Sequence, residues 1–147
     1  MREVTVKELK ERFAKRYTDL LARSRLRGIA LVDKNLLWEK VVASFQEGFR
    51  CYYCGCALHV RQPRPSPQVF SLDHYLPFAL GGKNTVENIV ICCHSCNIIK
   101  GTMRGGTFEE LLHYIPVELK EKMFDEIYRG RLADKLDRVK NERGEIT

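Results

Sequence analysis

The chain has 147 residues, of which 44% are hydrophobic and 30% are charged, a composition typical of a globular protein with a core of its own. Its net charge is +6, and the basic excess is largest in residues 1–30, which hold nine Lys and Arg against four Asp and Glu. No apolar run is long enough to cross a bilayer and the first residues lack the apolar segment of a signal peptide, so we expect a cytoplasmic protein with a polyanionic partner and no membrane contact.

Helices are predicted in the first third of the chain. The first covers residues 3–24, where apolar residues recur at helical spacing: Val6, Leu9, Phe13, Tyr17, Leu20 and Leu21. Gly28 is expected to break this helix. Asp33 is predicted to cap a second helix that ends at Gly48 and has a buried stripe of Leu37, Trp38, Val41, Val42 and Phe45.

Short apolar runs and chain breakers alternate in the middle of the chain. Residues 58–60 and 69–72 are strand candidates, separated by a proline-rich loop at 61–67. Residues 88–92 form a further strand candidate, and a short helix is expected over 93–100. Thr107 and Glu110 form a capping box that predicts a helix to about Tyr114. Pro116 suits the first turn of the last helix.

This order of elements predicts an α+β fold that forms one compact domain. We divide it into an N-terminal helical region at 1–48, a small strand–strand–helix core at 49–106 and a C-terminal helical region at 107–147. The flanking helices would wrap around the core.

Two Cys-x-x-Cys pairs bracket this core. Cys51 and Cys54 form the first pair, and Cys93 and Cys96 form the second. Four thiolates at this spacing suit one tetrahedral zinc ion, whereas disulfides are not expected without a secretory signal. The spare thiols of Cys56 and Cys92, and the imidazole of His94, are alternative ligands; we expect the spare cysteines to be core thiols.

Oxygen and nitrogen ligands lie between and just after the cysteine pairs. Asp73 and His74 follow the strand candidate at 69–72, Asn88 begins the candidate at 88–92, and Asn97 follows the last cysteine. A carboxylate, an imidazole and two carboxamides suit a hard cation and a general base. The combination indicates phosphodiester hydrolysis. Asn84, which follows a Gly-Gly pair, is interpreted as a turn residue.

These motifs, in this order, resemble the HNH nuclease family, also called the ββα-metal superfamily. The resemblance covers roughly residues 49–101, about a third of the chain, and rests on the two cysteine pairs, the sequence Leu72-Asp73-His74, the Gly81-Gly82 pair, Asn84, Glu87-Asn88, Asn97 and Lys100. It implies a zinc-stabilised ββα core in which the four cysteines hold a structural zinc.

The resemblance also implies a role for each residue at a matching position. His74 would be the general base, and Asp73 beside it a metal ligand. Asn88 would orient the base from the second strand region, and Asn97 on the helix would be the second metal ligand. Many members of the family have His at the position of Asn97, although Asn occurs there in the HNH domain of RNA-guided CRISPR nucleases. An amide oxygen at this position favours Mg²⁺ or Mn²⁺ as the catalytic cation.

The function implied is a metal-dependent endonuclease that hydrolyses double-stranded DNA, leaving 5′-phosphate and 3′-hydroxyl ends. Lys83, Lys100 and Arg104 are the expected phosphate contacts. Three alternatives stay open at this point: a nuclease or toxin directed at RNA, a zinc-dependent DNA-binding module without turnover, and a subunit of a larger complex. A homodimer is likewise open, because one active site nicks one strand.

Overall fold

A computed structural model of the chain describes residues 5–26, 32–61 and 66–142. The fold is α+β, as expected: helices surround a small antiparallel sheet. The helices are α1 (Val6–Leu26), α2 (Lys34–Gln46), α3 (His94–Lys100), α4 (Gly105–Leu112) and α5 (Val117–Glu142), and the strands are β1 (Phe70–His74) and β2 (Ile89–Cys93). Within the described residues, no helix is both long and apolar enough to cross a membrane.

Helix α1 buries the face that the sequence predicted. Leu9, Phe13, Tyr17 and Leu20 are buried, and Ser24 continues this face as a fully buried polar residue. The helix runs two residues further than expected, and the expected break at Gly28 lies outside the described residues.

Helix α2 is capped as predicted. The Asp33 side chain accepts a hydrogen bond from the backbone N–H of Leu36 at 3.0 Å, which satisfies one of the free donors of the first turn. Further along α2, the Lys40 ammonium donates to the carbonyl oxygens of Val86 and Ile89 at 2.8 and 2.5 Å. These bonds fix the start of β2 against α2.

The sheet is buried along its whole length. Strands β1 and β2 pair so that Phe70 lies opposite Cys93 and His74 opposite Ile89, and every residue of both strands is buried. Helix α1 contacts β1, and α3 contacts both strands. Because side chains alternate along a strand, Asp73 and its neighbour His74 leave the strand end toward different sides.

Two sequence expectations for local structure were wrong. Residues 58–60 form no strand, although His59 makes an isolated bridge to Val69. Helix α4 starts at Gly105, so Thr107 lies inside it and caps nothing. Gly105 packs so closely on the Tyr75 ring that a Cβ would lie 2.3 Å from it, and its N–H donates to the Tyr75 carbonyl at 2.8 Å. This contact begins the helix early. Residues 62–65 of the proline-rich loop lie outside the described residues.

Helix α5 packs on α3 at one side of the core. The ring of His94 meets the rings of Phe124 and Tyr128 edge-on, with centroids 5.5 and 6.4 Å away. The exposed face of α5 carries most of its charges. Both helical ends of the chain therefore contact the strand–strand–helix core.

Candidate active site and metal centre

The structure brings the four paired cysteines together. The sulfur atoms of Cys51, Cys54, Cys93 and Cys96 all lie within 4.8 Å of one another, and those of Cys54 and Cys93 are 3.8 Å apart. A tetrahedral zinc with Zn–S bonds of about 2.3 Å separates its sulfurs by about 3.8 Å. The cluster therefore fits a four-thiolate zinc site.

Backbone hydrogen bonds support both cysteine pairs in the same way. The N–H of Cys54 points at the sulfur of Cys51 at 3.5 Å, and that of Cys96 at the sulfur of Cys93 at 3.3 Å. Cys93 is thereby the N-cap of α3. A thiolate at a helix N-terminus is stabilised by the helix dipole. Contacts to the thiol of Cys51 and then to its neighbours lower the pKa of Cys54.

The spare candidates differ from these four. Cys92 is fully buried, and burial raises the pKa of its thiol well above the ordinary value, so it is a neutral core residue. Cys56 is half-buried beside the cluster and does not belong to the four cysteines whose sulfur atoms lie within 4.8 Å of one another. The ring of His94 faces the aromatic rings of α5.

A lysine from α5 accompanies the sulfur cluster. The Nζ atom of Lys120 lies 3.7 Å from the sulfur of Cys93. Burial acts to lower the pKa of Lys120, but the charges of Cys93 and Cys96 outweigh it and the pKa is raised. Four thiolates exceed the charge of one divalent cation by two, so this ammonium offsets part of the remainder.

A cavity of about 280 Å³ opens at the other end of the strand–strand–helix unit. Asp73 and His74 from the end of β1 line it together with Asn97 from α3. Two exposed arginines also line it, Arg23 of α1 and Arg131 of α5. Three residues that the sequence selected thus surround one space, and basic side chains from both flanking helices border it.

Asp73 is held by two neighbours through a single oxygen. The Tyr53 hydroxyl donates to its Oδ2 at 2.6 Å, and Nζ of Lys100 lies 3.1 Å from the same atom. The carboxylate is almost buried. Tyr53 stands inside the first cysteine pair, so this bond ties the sulfur cluster to the cavity.

Lys100 does not fit the phosphate-binding role expected from the sequence. Its side chain is fully buried against Asp73, and its ammonium also donates to the carbonyl oxygen of His74 at 3.0 Å. The short helix α3 turns this residue inward, away from solvent. Lys83 and Arg104 are exposed, and their contact with phosphate stays a prediction.

His74 is buried and makes a side-chain hydrogen bond. Its Nε2 lies 3.0 Å from Oδ1 of Asn84, and its ring is 4.1 Å from that of Phe78. Burial lowers the pKa of His74, and the hydrogen bond to Asn84 offsets this only in part. The ring is therefore neutral at neutral pH, which is the form that accepts a proton.

Asn88 does not contact the ring, contrary to the expectation from the sequence. Its amide donates to the carbonyls of Leu76 and Lys83 at 3.0 and 2.8 Å, and its Oδ1 accepts from the Leu76 N–H at 2.9 Å. Asn88 closes the loop between the strands, while Asn84 takes the place at the ring. Gly82 belongs to the same closure, because a Cβ there would lie 1.7 Å from the Leu76 carbonyl oxygen.

Asn97 is oriented by a neighbour on the sheet. Its Nδ2 donates to the hydroxyl of Ser71 at 2.7 Å, and the residue lines the cavity. The amide is therefore anchored through its nitrogen, which leaves its oxygen as the atom that can bind a cation.

Sequence reasoning missed several residues of this site. The sequence patterns pointed to no site role for Arg23, Arg131 or Tyr53. The sequence could have singled out Ser24, because it is a polar residue in line with the apolar stripe of α1. The two arginines carried no such signal, since only the folded chain brings α1 and α5 to one cavity.

Residues 51–110 match the sequence model of an HNH endonuclease family. The matched segment contains both cysteine pairs, β1, β2, α3 and most of α4, so the resemblance inferred from the motifs is confirmed. No curated protein matches the chain. The helices α1, α2 and α5 lie outside the matched segment.

Proposed function

We propose that this chain, whose residues 51–110 match the model of an HNH endonuclease family, is a metal-dependent endonuclease acting on double-stranded DNA. The observation that carries the proposal is the convergence of Asp73, His74 and Asn97 on one cavity bordered by arginines. A base, hard ligands and basic side chains around one space are the parts that phosphodiester hydrolysis needs.

His74 is the general base in this mechanism. A neutral imidazole within reach of a water molecule removes its proton as the oxygen attacks phosphorus. Burial lowers the pKa of His74, which keeps the ring in this form at neutral pH. The proton taken from water passes to the ring, where the charge of nearby Asp73 favours it, and the leaving 3′ oxygen takes a proton from solvent water. The ring then returns its proton to solvent.

Asp73 and Asn97 would hold a Mg²⁺ or Mn²⁺ ion. Both offer hard oxygen atoms, and each is anchored through its other polar atom, Asp73 through Oδ2 and Asn97 through Nδ2. Mg²⁺ is commonly bound by one or two protein oxygens, with water and phosphate completing its shell. When bound, such a cation neutralises charge on the phosphate and on the leaving 3′ oxygen.

Arg23 and Arg131 would bind the DNA backbone beside the cleaved bond. Their exposed side chains line the cavity from two helices outside the matched domain. Lys83 and Arg104 are exposed and extend the basic surface. We therefore assign the substrate contacts beside the cleaved bond to α1 and α5, further phosphate contacts to Lys83 and Arg104 of the core, and the chemistry to the core at 49–106.

The four cysteines would hold zinc in a structural role. A site closed by four thiolates has no position for water and performs no chemistry. Zinc held there would fix the short sheet and α3, and the bond from Tyr53 to Asp73 would extend this support to the cavity.

The test is cleavage of supercoiled plasmid with Mg²⁺, Mn²⁺ or EDTA. We expect metal-dependent nicking, and replacement of His74 by Ala should lower the rate roughly 10²–10⁴-fold, as for loss of a general base. His113→Ala is the matched control, since it changes a histidine outside the cavity lining. Cleavage of RNA but not of plasmid would move the substrate to RNA, and equal rates for the wild type and His74→Ala would remove His74 as the base. Linear product without open circles would indicate a dimer.

A further inference from the structure

A chain of hydrogen bonds runs from His74 into helix α1. Nε2 of His74 lies 3.0 Å from Oδ1 of Asn84, and Nδ2 of Asn84 donates to the hydroxyl oxygen of Ser24 at 3.0 Å. The Ser24 hydroxyl donates in turn to the carbonyl oxygen of Leu20 at 2.8 Å. The exposed fractions of His74, Asn84 and Ser24 are 7%, 8% and 0%, so the chain of hydrogen bonds is almost entirely buried.

The donor and acceptor of each hydrogen bond can be assigned by starting from the Leu20 carbonyl at the end of the chain. The Leu20 carbonyl can only accept, so the single hydroxyl hydrogen of Ser24 is used there. The Ser24 oxygen must then accept, and its partner is the amide nitrogen of Asn84. The Asn84 oxygen consequently faces the ring.

The last bond of the chain fixes the tautomer of His74. A carboxamide oxygen is only an acceptor, so Nε2 of the ring carries the hydrogen. In the neutral ring the other nitrogen, Nδ1, then has the free electron pair. A flipped Asn84 amide would set two acceptors or two donors against each other in a buried place.

We propose that Asn84 and Ser24 are positioning residues that fix His74 in the tautomer whose Nδ1 accepts the proton. The inference rests on the proposed role of His74 as base. It makes α1, which lies outside the matched domain, part of the active site: the ring is oriented by a residue 50 positions earlier in the sequence.

Two observations indicate that Asn84 does more than close the loop between β1 and β2. Asn88 already closes the loop, with three hydrogen bonds to its backbone. Asn84, by contrast, directs its side chain to the ring and to a helix 60 residues away in the sequence. The buried hydroxyl of Ser24 on an otherwise apolar face is then explained by its link to Asn84.

The first test reads the tautomer directly, without activity. The zinc-loaded full chain, labelled with ¹⁵N in histidine, is studied by NMR above the pH at which the rings titrate, and His74→Ala assigns the signals of His74. We expect protonated Nε2 and unprotonated Nδ1 in the wild type, and a mixture of tautomers in Asn84→Leu and Ser24→Ala. Thr18→Val is the matched control. The exposed Thr18 hydroxyl also donates to the carbonyl oxygen four residues earlier in α1, that of Ala14, at 2.9 Å.

The second test is the plasmid cleavage rate at saturating Mg²⁺. Asn84→Leu should lower kcat roughly tenfold or more, a part of the roughly 10²–10⁴-fold that a general base contributes, with KM almost unchanged. Ser24→Ala should have a smaller effect in the same direction, and Ser24→Thr, which restores the hydroxyl, should recover both kcat and the tautomer. Zinc content and thermal unfolding show that each variant is folded.

The two tests distinguish failure of the positioning role from failure of the proposed function. A wild-type His74 protonated on Nδ1, or a folded Ser24→Ala with the wild-type tautomer and kcat, overturns the positioning role whatever the substrate is. A chain that cleaves nothing but has the expected tautomer, lost in Ser24→Ala, contradicts the proposed function and leaves the hydrogen-bond chain standing.

Discussion

The two ends of the strand–strand–helix unit hold two candidate metal sites that differ in construction. At one end four sulfur atoms lie within 4.8 Å of one another, held by backbone N–H groups of their own turns. At the other end Asp73 and Asn97 border an open cavity, and each is anchored by one polar atom to a neighbouring side chain. The first site is closed and the second is open.

This difference indicates that the two sites suit ions with different roles. A closed thiolate site suits an ion that stays for the life of the fold, whereas an open oxygen site suits an ion that arrives with its substrate. The bond from Tyr53, inside the first cysteine pair, to Asp73 joins the two ends. This bond gives the closed site a direct connection to the geometry of the open one.

The largest effect is expected at the sulfur end. Cys93→Ser replaces a proposed zinc ligand by a residue that can still cap α3, and structural zinc sites contribute about 10–16 kcal/mol of apparent binding free energy. We expect loss of bound zinc by elemental analysis and loss of cooperative thermal unfolding.

Cys56→Ser is the matched control for this change. It alters a half-buried thiol beside the cluster and should leave zinc at one per chain. A folded Cys93→Ser protein with the unfolding temperature of the wild type would contradict a structural zinc.

The next largest effect is expected at the link between Asp73 and Lys100. Lys100→Met leaves an almost buried carboxylate without its cation, and removing one partner of a buried ion pair costs about 3–5 kcal/mol. Chemical denaturation of the zinc-loaded protein measures this loss of stability. Lys83→Met, at an exposed lysine, should cost far less.

A double variant separates charge from shape at this pair. Lys100→Met combined with Asp73→Asn removes both charges and should regain much of the stability without regaining cleavage. If Lys100→Met is as stable as the wild type but weakens DNA binding, Lys100 is a phosphate contact after all.

The sequence predicted the parts of this protein that depend on local spacing. The cysteine pairs, the cap at Asp33 and the buried stripe of α1 follow from patterns within a few residues. The roles of Asn84 and Asn88 could not be predicted from such patterns, because both residues follow the same Gly-Gly pair. Only the path of the loop decides which of the two amides contacts the His74 ring. The sequence around Lys100 is typical of an exposed lysine, and its burial depends on how α3 packs on the sheet. The meeting of Arg23 and Arg131 depends on the packing of helices that are distant in the sequence.

A smaller effect is expected at the open site itself. Asn97→Ala removes one of the two proposed protein ligands of Mg²⁺. The Mg²⁺ concentration for half-maximal cleavage should therefore rise roughly tenfold or more, as metal affinity commonly does when supporting groups of a metal site are lost. Saturating Mg²⁺ should restore part of the rate, whereas zinc content should not change. An unchanged Mg²⁺ titration curve would exclude Asn97 as a ligand.

The smallest effect is expected for the arginines that border the open site. Each phosphate contact contributes about 0.9 to the slope of log affinity against log salt concentration for duplex DNA. Replacing both Arg23 and Arg131 by Ala should therefore lower the magnitude of that slope by about 2, measured with a catalytically inactive His74→Ala background so that the DNA stays intact. The matched control replaces Arg25 and Arg138, exposed arginines on the same two helices outside the cavity lining. If both pairs of substitutions lower the slope equally, the DNA follows the general basic surface of the helices and not the border of the cavity.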